Sequence, residues 1–374
     1  MFKPMTNHIK TFICPSIRMG PPAGIWVLLC ILLPNFIAAQ DFKQAVSPRE
    51  WHFPRDHGNH GDYSLEWWYS TSIVTASDGK EYGIHVTFFR HAWVTQPKVP
   101  ESVWSMRDIF FAHFAVSDLT SQKLTFFEKR SRSGPELAGS DSTRLNVWLD
   151  DWKMVGDDQT WSINIAEDSL HLDLQLIVPS TPLFQGKGGL SQKTTHHASY
   201  YYSYPRMQTS GHLSIGNNTV SLEGFSWFDH EFSDDPKSKG FIGWDWFGLR
   251  LDDGTDLMIY FLRDDEGVYS AESGGTWYHG EKREILSMTD IQTKQLSTWR
   301  AKSGARYPLE WLMRIPHLDL EFTIKARHPN HELETDGSTF ITYWEGAVSV
   351  QGIHAGRPIN GEGYMELTGY AHPL

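Results

Sequence analysis

Asp229-His230-Glu231, with Trp227 just before it and Trp244, Asp245, Trp246 and Tyr260 after it, is the densest gathering of acids, imidazole and large aromatics in the sequence. A carboxyl group in apolar surroundings has its pKa raised by desolvation and stays protonated as a donor. Tryptophan and tyrosine faces attract the cation that such a donor creates. The stretch therefore carries the residue types for cofactor-free acid chemistry, with Asp229, His230, Glu231, Asp245 and Tyr260 as candidate catalytic residues. The same residues also suit a structural role, a polar cluster pinning a domain junction by hydrogen bonds. On a strand, Asp229 and Glu231 share one face and His230 points to the other, so all three meet one substrate only if a bulge intervenes.

The elements that must position these residues repeat. Trp244-Asp245-Trp246-Phe247, Asp253-Gly254 and Tyr260-Phe261-Leu262-Arg263 echo Glu66-Trp67-Trp68-Tyr69, Asp78-Gly79 and Thr87-Phe88-Phe89-Arg90. Each copy reads as an aromatic strand, a DG turn and a second strand, the hairpin signature. Between and beyond them run short alternating segments, clearest at Leu170, Leu172, Leu174 and Leu176, and no window carries a long helical stripe. The class is all-β, antiparallel, with little helix. At 374 residues the chain suits two domains, divided in the charged, Pro- and Gly-bearing stretch Ser233 to Gly240: residues 40–235 and 236–374.

Further candidates for ligand contact are Glu66, Trp67, Trp68, Tyr201, Trp227, Trp244, Trp246, Tyr343 and Glu345. Set against this are core packing for the tryptophans and an ion pair of Glu66 with Arg90. Residues Pro179 to His197, rich in glycine around Gly186-Lys187-Gly188-Gly189, form either a functional loop or a plain connector; the spacing of a phosphate loop is missing. Asp41 to Asp62 reads as an extended polar lead-in.

Several function classes fall away. A net charge of −12 without a basic stripe excludes nucleic acid as the expected partner. His196-His197 and the Asp56, His57, His60 and Asp62 group lack metal-ligand spacing, so no metal or other cofactor is expected. There is no GxSxG elbow and no HExxH. Residues 23–39 are apolar, follow Lys3, Lys10 and Arg18, and end in small residues, as a secretory signal does, with cleavage placed after Ala39 or Gln40. The chain is thus expected to be exported, into a periplasm, with an uncleaved membrane anchor as the alternative. Both cysteines, Cys14 and Cys30, lie in this leader, leaving the mature chain without disulfide or thiolate chemistry.

Taken together, Phe53-Pro54-Arg55-Asp56-His57-Gly58, Glu66-Trp67-Trp68-Tyr69, Gly188 to Lys193, Tyr200 to Tyr202, Phe228-Asp229-His230-Glu231, Gly243 to Trp246, Tyr343-Trp344-Glu345-Gly346 and Gly363 to Tyr370 resemble the AttH and hydroxyneurosporene synthase (CrtC) family, which includes carotenoid 1,2-hydratases. The resemblance implies two lipocalin-like (calycin-type) antiparallel β-barrel domains in tandem and an apolar isoprenoid, carotenoid or lipid-like molecule held in an aromatic cavity. It implies either acid-initiated hydration or cyclisation, a hydro-lyase if the chain is an enzyme, or a non-catalytic carrier or accessory of an ABC transport complex. It also implies an acid two residues past Tyr260, where this chain has Leu262, and a tryptophan at Phe232. The proton donor then falls to Asp229, Glu231 or Asp245.

Overall fold

The computed structural model describes residues 42–92, 106–234 and 240–373. The leader, both cysteines and most of the Ser233–Gly240 junction lie outside them. Helix among the described residues is confined to the 3-10 turns Arg55–His57, Met288–Asp290 and Pro316–Leu318. No described helix is long and apolar enough to cross a membrane.

The strands form a 13-stranded and a 10-stranded sheet, both antiparallel and curled, giving a barrel and a half-barrel. The repeated hairpin opens each sheet. Leu65–Ala76 pairs with Glu81–Ala92 through Asp78-Gly79, and Gly243–Leu251 pairs with Thr255–Arg263 through Asp253-Gly254. Gly79 and Gly254 have φ of 82° and 91°, the left-handed backbone that such turns require. Each opening strand also pairs on its other side with the last strand of its own sheet, Asn218–Ser233 in the first and Arg357–Leu367 in the second. The two sheets are thus wound alike.

Alternation fills each sheet's inner face. In Leu170–Ile177 the leucines are buried while His171, Asp173 and Gln175 are exposed. Trp68, Phe88, Phe114, Trp152, Trp161 and Phe228 pack the interior of the first sheet, and Phe247, Phe261, Trp311 and Trp344 that of the second. The interiors of both sheets are thus packed with large side chains. The lead-in is also more than extended chain: Asp56, His57 and His60 are buried, and the His57 ring lies edge-on to Trp161 at 4.9 Å.

A third apolar layer forms where the outer faces of the two sheets meet, with Tyr69, Ile73, Tyr201 and Trp227 against Trp246, Met258, Ala347 and Tyr364. Close approach there depends on glycine. A Cβ at Gly83 would stand 2.6 Å from the Tyr364 hydroxyl, and one at Gly248 would stand 2.5 Å from the Trp246 ring and 3.0 Å from that of Trp227. Gly248→Val is therefore expected to destabilise the fold by about 1–3 kcal/mol through overpacking, read as a lower urea midpoint. An unchanged midpoint would mean that the two rings move aside freely.

Candidate functional site

Strand alternation decides which candidate residues meet. Asn218–Ser233 pairs with Leu65–Ala76 in unbroken register from Leu65 opposite Ser233 to Ala76 opposite Leu222, so no bulge intervenes at Asp229. Trp227 and Asp229 hydrogen-bond within the inter-sheet layer, and Glu231 takes the same face, while Phe228 and His230 turn into the first sheet. The neighbouring strand His197–Ile215 sets Tyr201 opposite Glu231 and Ser203 opposite Asp229. The second sheet contributes Trp244, Trp246 and Tyr260 from its opening hairpin. Its closing pair contributes Tyr343, Glu345, Tyr364 and Glu366, with Glu345 directly across from Glu366.

Asp229 accepts three hydrogen bonds, from Ser203 (2.5 Å) and the Trp227 indole (2.7 Å) on Oδ1 and from the Tyr201 hydroxyl (2.6 Å) on Oδ2. Tyr201 in turn accepts the Trp246 indole N–H at 3.1 Å, which carries the network across to the second sheet. Tyr69 crosses in the same direction, its hydroxyl donating to Glu345 Oε1 at 2.9 Å. Glu345 is 2% exposed, and its other oxygen, Oε2, has no hydrogen-bond partner. At the edge of the layer Lys193 lies 2.9 Å from Glu231 Oε1 and over the rings of Tyr201 (5.3 Å) and Tyr260 (4.8 Å). Ser199 also donates to Glu231.

These surroundings hold protons on the acids. Burial raises Asp229 to about 7 against the three donors that favour its ionised form, and the Glu231 charge adds to the rise. Burial likewise brings Glu366 to about 7, opposed by the Trp244 side chain and reinforced by Asp229 and Glu231. Glu345 goes well above the usual carboxylate range, through burial and the facing Glu366. The Tyr69 and Tyr201 phenols are pushed well up by burial and nearby carboxylates, so both remain donors. The layer is thus a set of aromatic walls around carboxyls that keep their protons near neutrality.

The remaining candidates lie elsewhere. His230, Glu66 and Trp68 are inside the first sheet. His230 Nε2 is 2.9 Å from Glu66 Oε1, His230 Nδ1 is 3.1 Å from the Tyr202 hydroxyl, and the ring stacks on Trp68 at 5.0 Å. Glu66 also binds His60 (2.8 Å) and Arg90 (3.1 Å), and His60 reaches Asp56 at 3.3 Å. Burial alone would raise Glu66, but Arg90, His230 and His60 hold it well below the usual range. The ligand atoms of His60, Glu66 and His230 lie within 4.8 Å of one another. A metal ion there would stand beside the Arg90 guanidinium, so the cluster suits a structural network better than a cation. Asp245 points into the second sheet, 3.3 Å from Arg263 and 2.9 Å from the Tyr370 hydroxyl, and burial raises it to about 6 against Arg263. His230 and Asp245 are therefore separated from Asp229 by the alternation of their own strands.

Glu366, Tyr69, Ser203 and Lys193 belong to the layer but are not singled out by the sequence. Parity would have found two of them, since Tyr69 follows Trp67 by two residues and Glu366 follows Tyr364 by two. The glycine-bearing segment proves to be a strap: Tyr278 donates to the Phe184 carbonyl at 2.9 Å and Tyr260 to that of Gln192 at 3.0 Å, so it joins both sheets beside the layer and delivers Lys193.

The model of the AttH-like family matches residues 44–370. The chain belongs to this family. A crystal structure of a protein from Nitrosomonas europaea assigned to AttH superposes with a TM-score of 0.78 at 30% identity, covering 88% of this chain and all of that one. Kievitone hydratase from Nectria haematococca superposes with a TM-score of 0.67 at 15% identity, covering 89% and 97% of the two chains, a likeness of fold. No curated protein is similar enough in sequence to match. The AttH-like chain thus has the architecture of tandem lipocalin-like barrels, with its acid layer between them.

Glu366 gives a pH test. Its pKa rises from 4.5 to about 7, so across that window the folded state holds a proton that the unfolded chain has released, and stability falls as pH rises. Buried histidines such as His57 and His113, both lowered from 6.5 to about 3, act oppositely at the acid end, so the informative quantity is a difference. Relative to wild type, Glu366→Gln is expected to gain stability as pH rises from 5 to 7, by up to about 1.4 kcal/mol per pH unit. Denaturation at several pH values checks this, and parallel curves would show that Glu366 is ionised in the folded protein.

Proposed function

We propose that the chain binds an apolar isoprenoid or lipid-like molecule in the inter-sheet layer and adds water to it, or cyclises it, by acid initiation. The observation that carries this reading is Glu345, a buried carboxyl held protonated with one oxygen unpartnered among aromatic rings. Asp229 has both oxygens occupied by donors, which makes it the anchor of Tyr201 and Trp246 rather than the donor itself. Glu345 gives its proton to one alkene carbon, and the cation formed at the other faces tryptophan and tyrosine rings. Water attacks that carbon and returns a proton to the carboxylate, so the net change is addition of one water. In cyclisation a second double bond attacks that carbon instead, and the new cation gives up a neighbouring proton to the carboxylate, so the net change is an isomerisation. The activity for which kievitone hydratase is named points in the same direction, and at 15% identity the likeness assigns no residue a role. The apolar stretch at residues 23–39 supports an exported setting.

A second reading, a closed layer with no ligand, draws on the packing. The space between Trp227, Gly248, Arg250 and Tyr364 is about 10 Å³, room for about one water. Entry of a ligand therefore requires side chains of the layer to move, and Trp67, Trp244 and Tyr260 are among its partly exposed members. Native mass spectrometry with organic extraction of the protein from its own host separates the readings. A co-purifying polyene or isoprenoid provides the substrate, and with it Glu345→Gln is expected to lower turnover at least about 100-fold while binding persists. Binding without turnover in the wild type would indicate the carrier or transport-accessory role. A bare protein that takes up no added apolar ligand would leave the closed layer.

A further inference from the structure

Apart from the acid layer, three hairpin ends of the second sheet converge on a different chemistry. Asp253 sits in the turn after Gly243–Leu251, His279 ends the strand Gly274–His279, and His354 ends Thr342–His354. One ligand atom from each lies within 4.8 Å of the other two. We propose that Asp253, His279 and His354 form a site for a borderline divalent transition-metal ion of the Zn²⁺ class, one that does not depend on the inter-sheet reading.

The three side chains are held from behind. Asp253 Oδ1 accepts the Thr255 backbone N–H at 2.9 Å, which leaves Oδ2 to face His354 Nδ1 at 2.5 Å. The Thr255 hydroxyl meets His279 Nδ1 at 3.0 Å, so one threonine orients both the carboxylate and an imidazole. Trp277 lies parallel to His279 at 5.9 Å and edge-on to His354 at 6.4 Å, limiting both rings. Support of this kind fixes a histidine's tautomer and direction at metal sites.

Two imidazoles and one carboxylate favour Zn²⁺ over Mg²⁺ or Ca²⁺, which take oxygen ligands. Bonds of about 2.1 Å put ligand atoms about 3.4 Å apart in a tetrahedral site, so the ion takes the place of the proton between Asp253 Oδ2 and His354 Nδ1 and that pair opens from 2.5 Å, while the wider separations, within 4.8 Å, close. The Asp253 and His354 side chains are 24% and 15% exposed, which leaves a coordination position open to water. The sequence gives no sign of this site because its ligands are spread over a hundred residues and are joined only by the register of three hairpins.

The test is titration of the untagged, dialysed protein with Zn²⁺ at pH 7.5, by calorimetry and thermal melting. The expected result is saturable binding of one ion per chain with a rise in melting temperature. His279→Ala and His354→Ala should each weaken binding at least tenfold and abolish that rise, while their metal-free melting stays near that of wild type. No saturable binding, or saturable binding unaffected by either substitution, would overturn the site.

Discussion

Burial of carboxyl groups without matching cations is the constraint on which the inter-sheet layer depends. A carboxylate taken out of water is costly unless it is paired or neutralised by a proton. Among the described residues of the layer, Lys193 is taken by Glu231 and Arg250 by Glu362. Burial therefore shifts Asp229 and Glu366 up to about 7 and Glu345 further, against surrounding hydroxyls and indoles whose hydrogen bonds favour the ionised form. The glycines at 83 and 248 serve the same end, since they let the sheets approach closely enough for Tyr69 and Trp246 to reach across.

Inside the first sheet the same residue types are handled in the opposite way. Glu66 is as deeply buried as Glu345, but Arg90 stands across from it on the paired strand and two histidines complete its shell. Its pKa falls where that of Glu345 rises. The difference lies in the partner supplied by strand register: an arginine facing Glu66 and a second glutamate facing Glu345. One arrangement fixes the lead-in segment to the barrel, and the other stores protons in an apolar setting.

Much of this was legible in the sequence, because period-2 alternation and DG turns act locally. The repeated hairpin, the scarcity of helix, the opposed directions of Asp229 and His230, and the Glu66–Arg90 pair all follow from patterns a few residues long. What remained hidden depends on which face of a strand is covered, and by what. Alternation divides Trp227 and Asp229 from Phe228 and His230 but does not say that the outer face will be buried under a second sheet. The pairing of Glu345 with Glu366 depends on register across a hairpin turn, and the reach of Tyr69 to Glu345 on two sheets meeting. Asp245 was misplaced for a related reason: its position between two tryptophans suggests a shared site, whereas those tryptophans share the face that it does not.

The division of faces also bears on why the acids without cationic partners sit between the sheets rather than within one. An interior lined by Trp68, Phe114, Trp161 and Phe228 is tightly packed, and opening it would forfeit the burial that stabilises the sheet. The outer faces carry less of that burden. They can hold polar groups, some unsatisfied as at Glu345 Oε2, because each sheet retains a complete core of its own. Acids that hold protons in an apolar setting disturb the packing less at a seam between the sheets than inside either core. Two similarly wound sheets, each folded around its own aromatic core, supply such a seam.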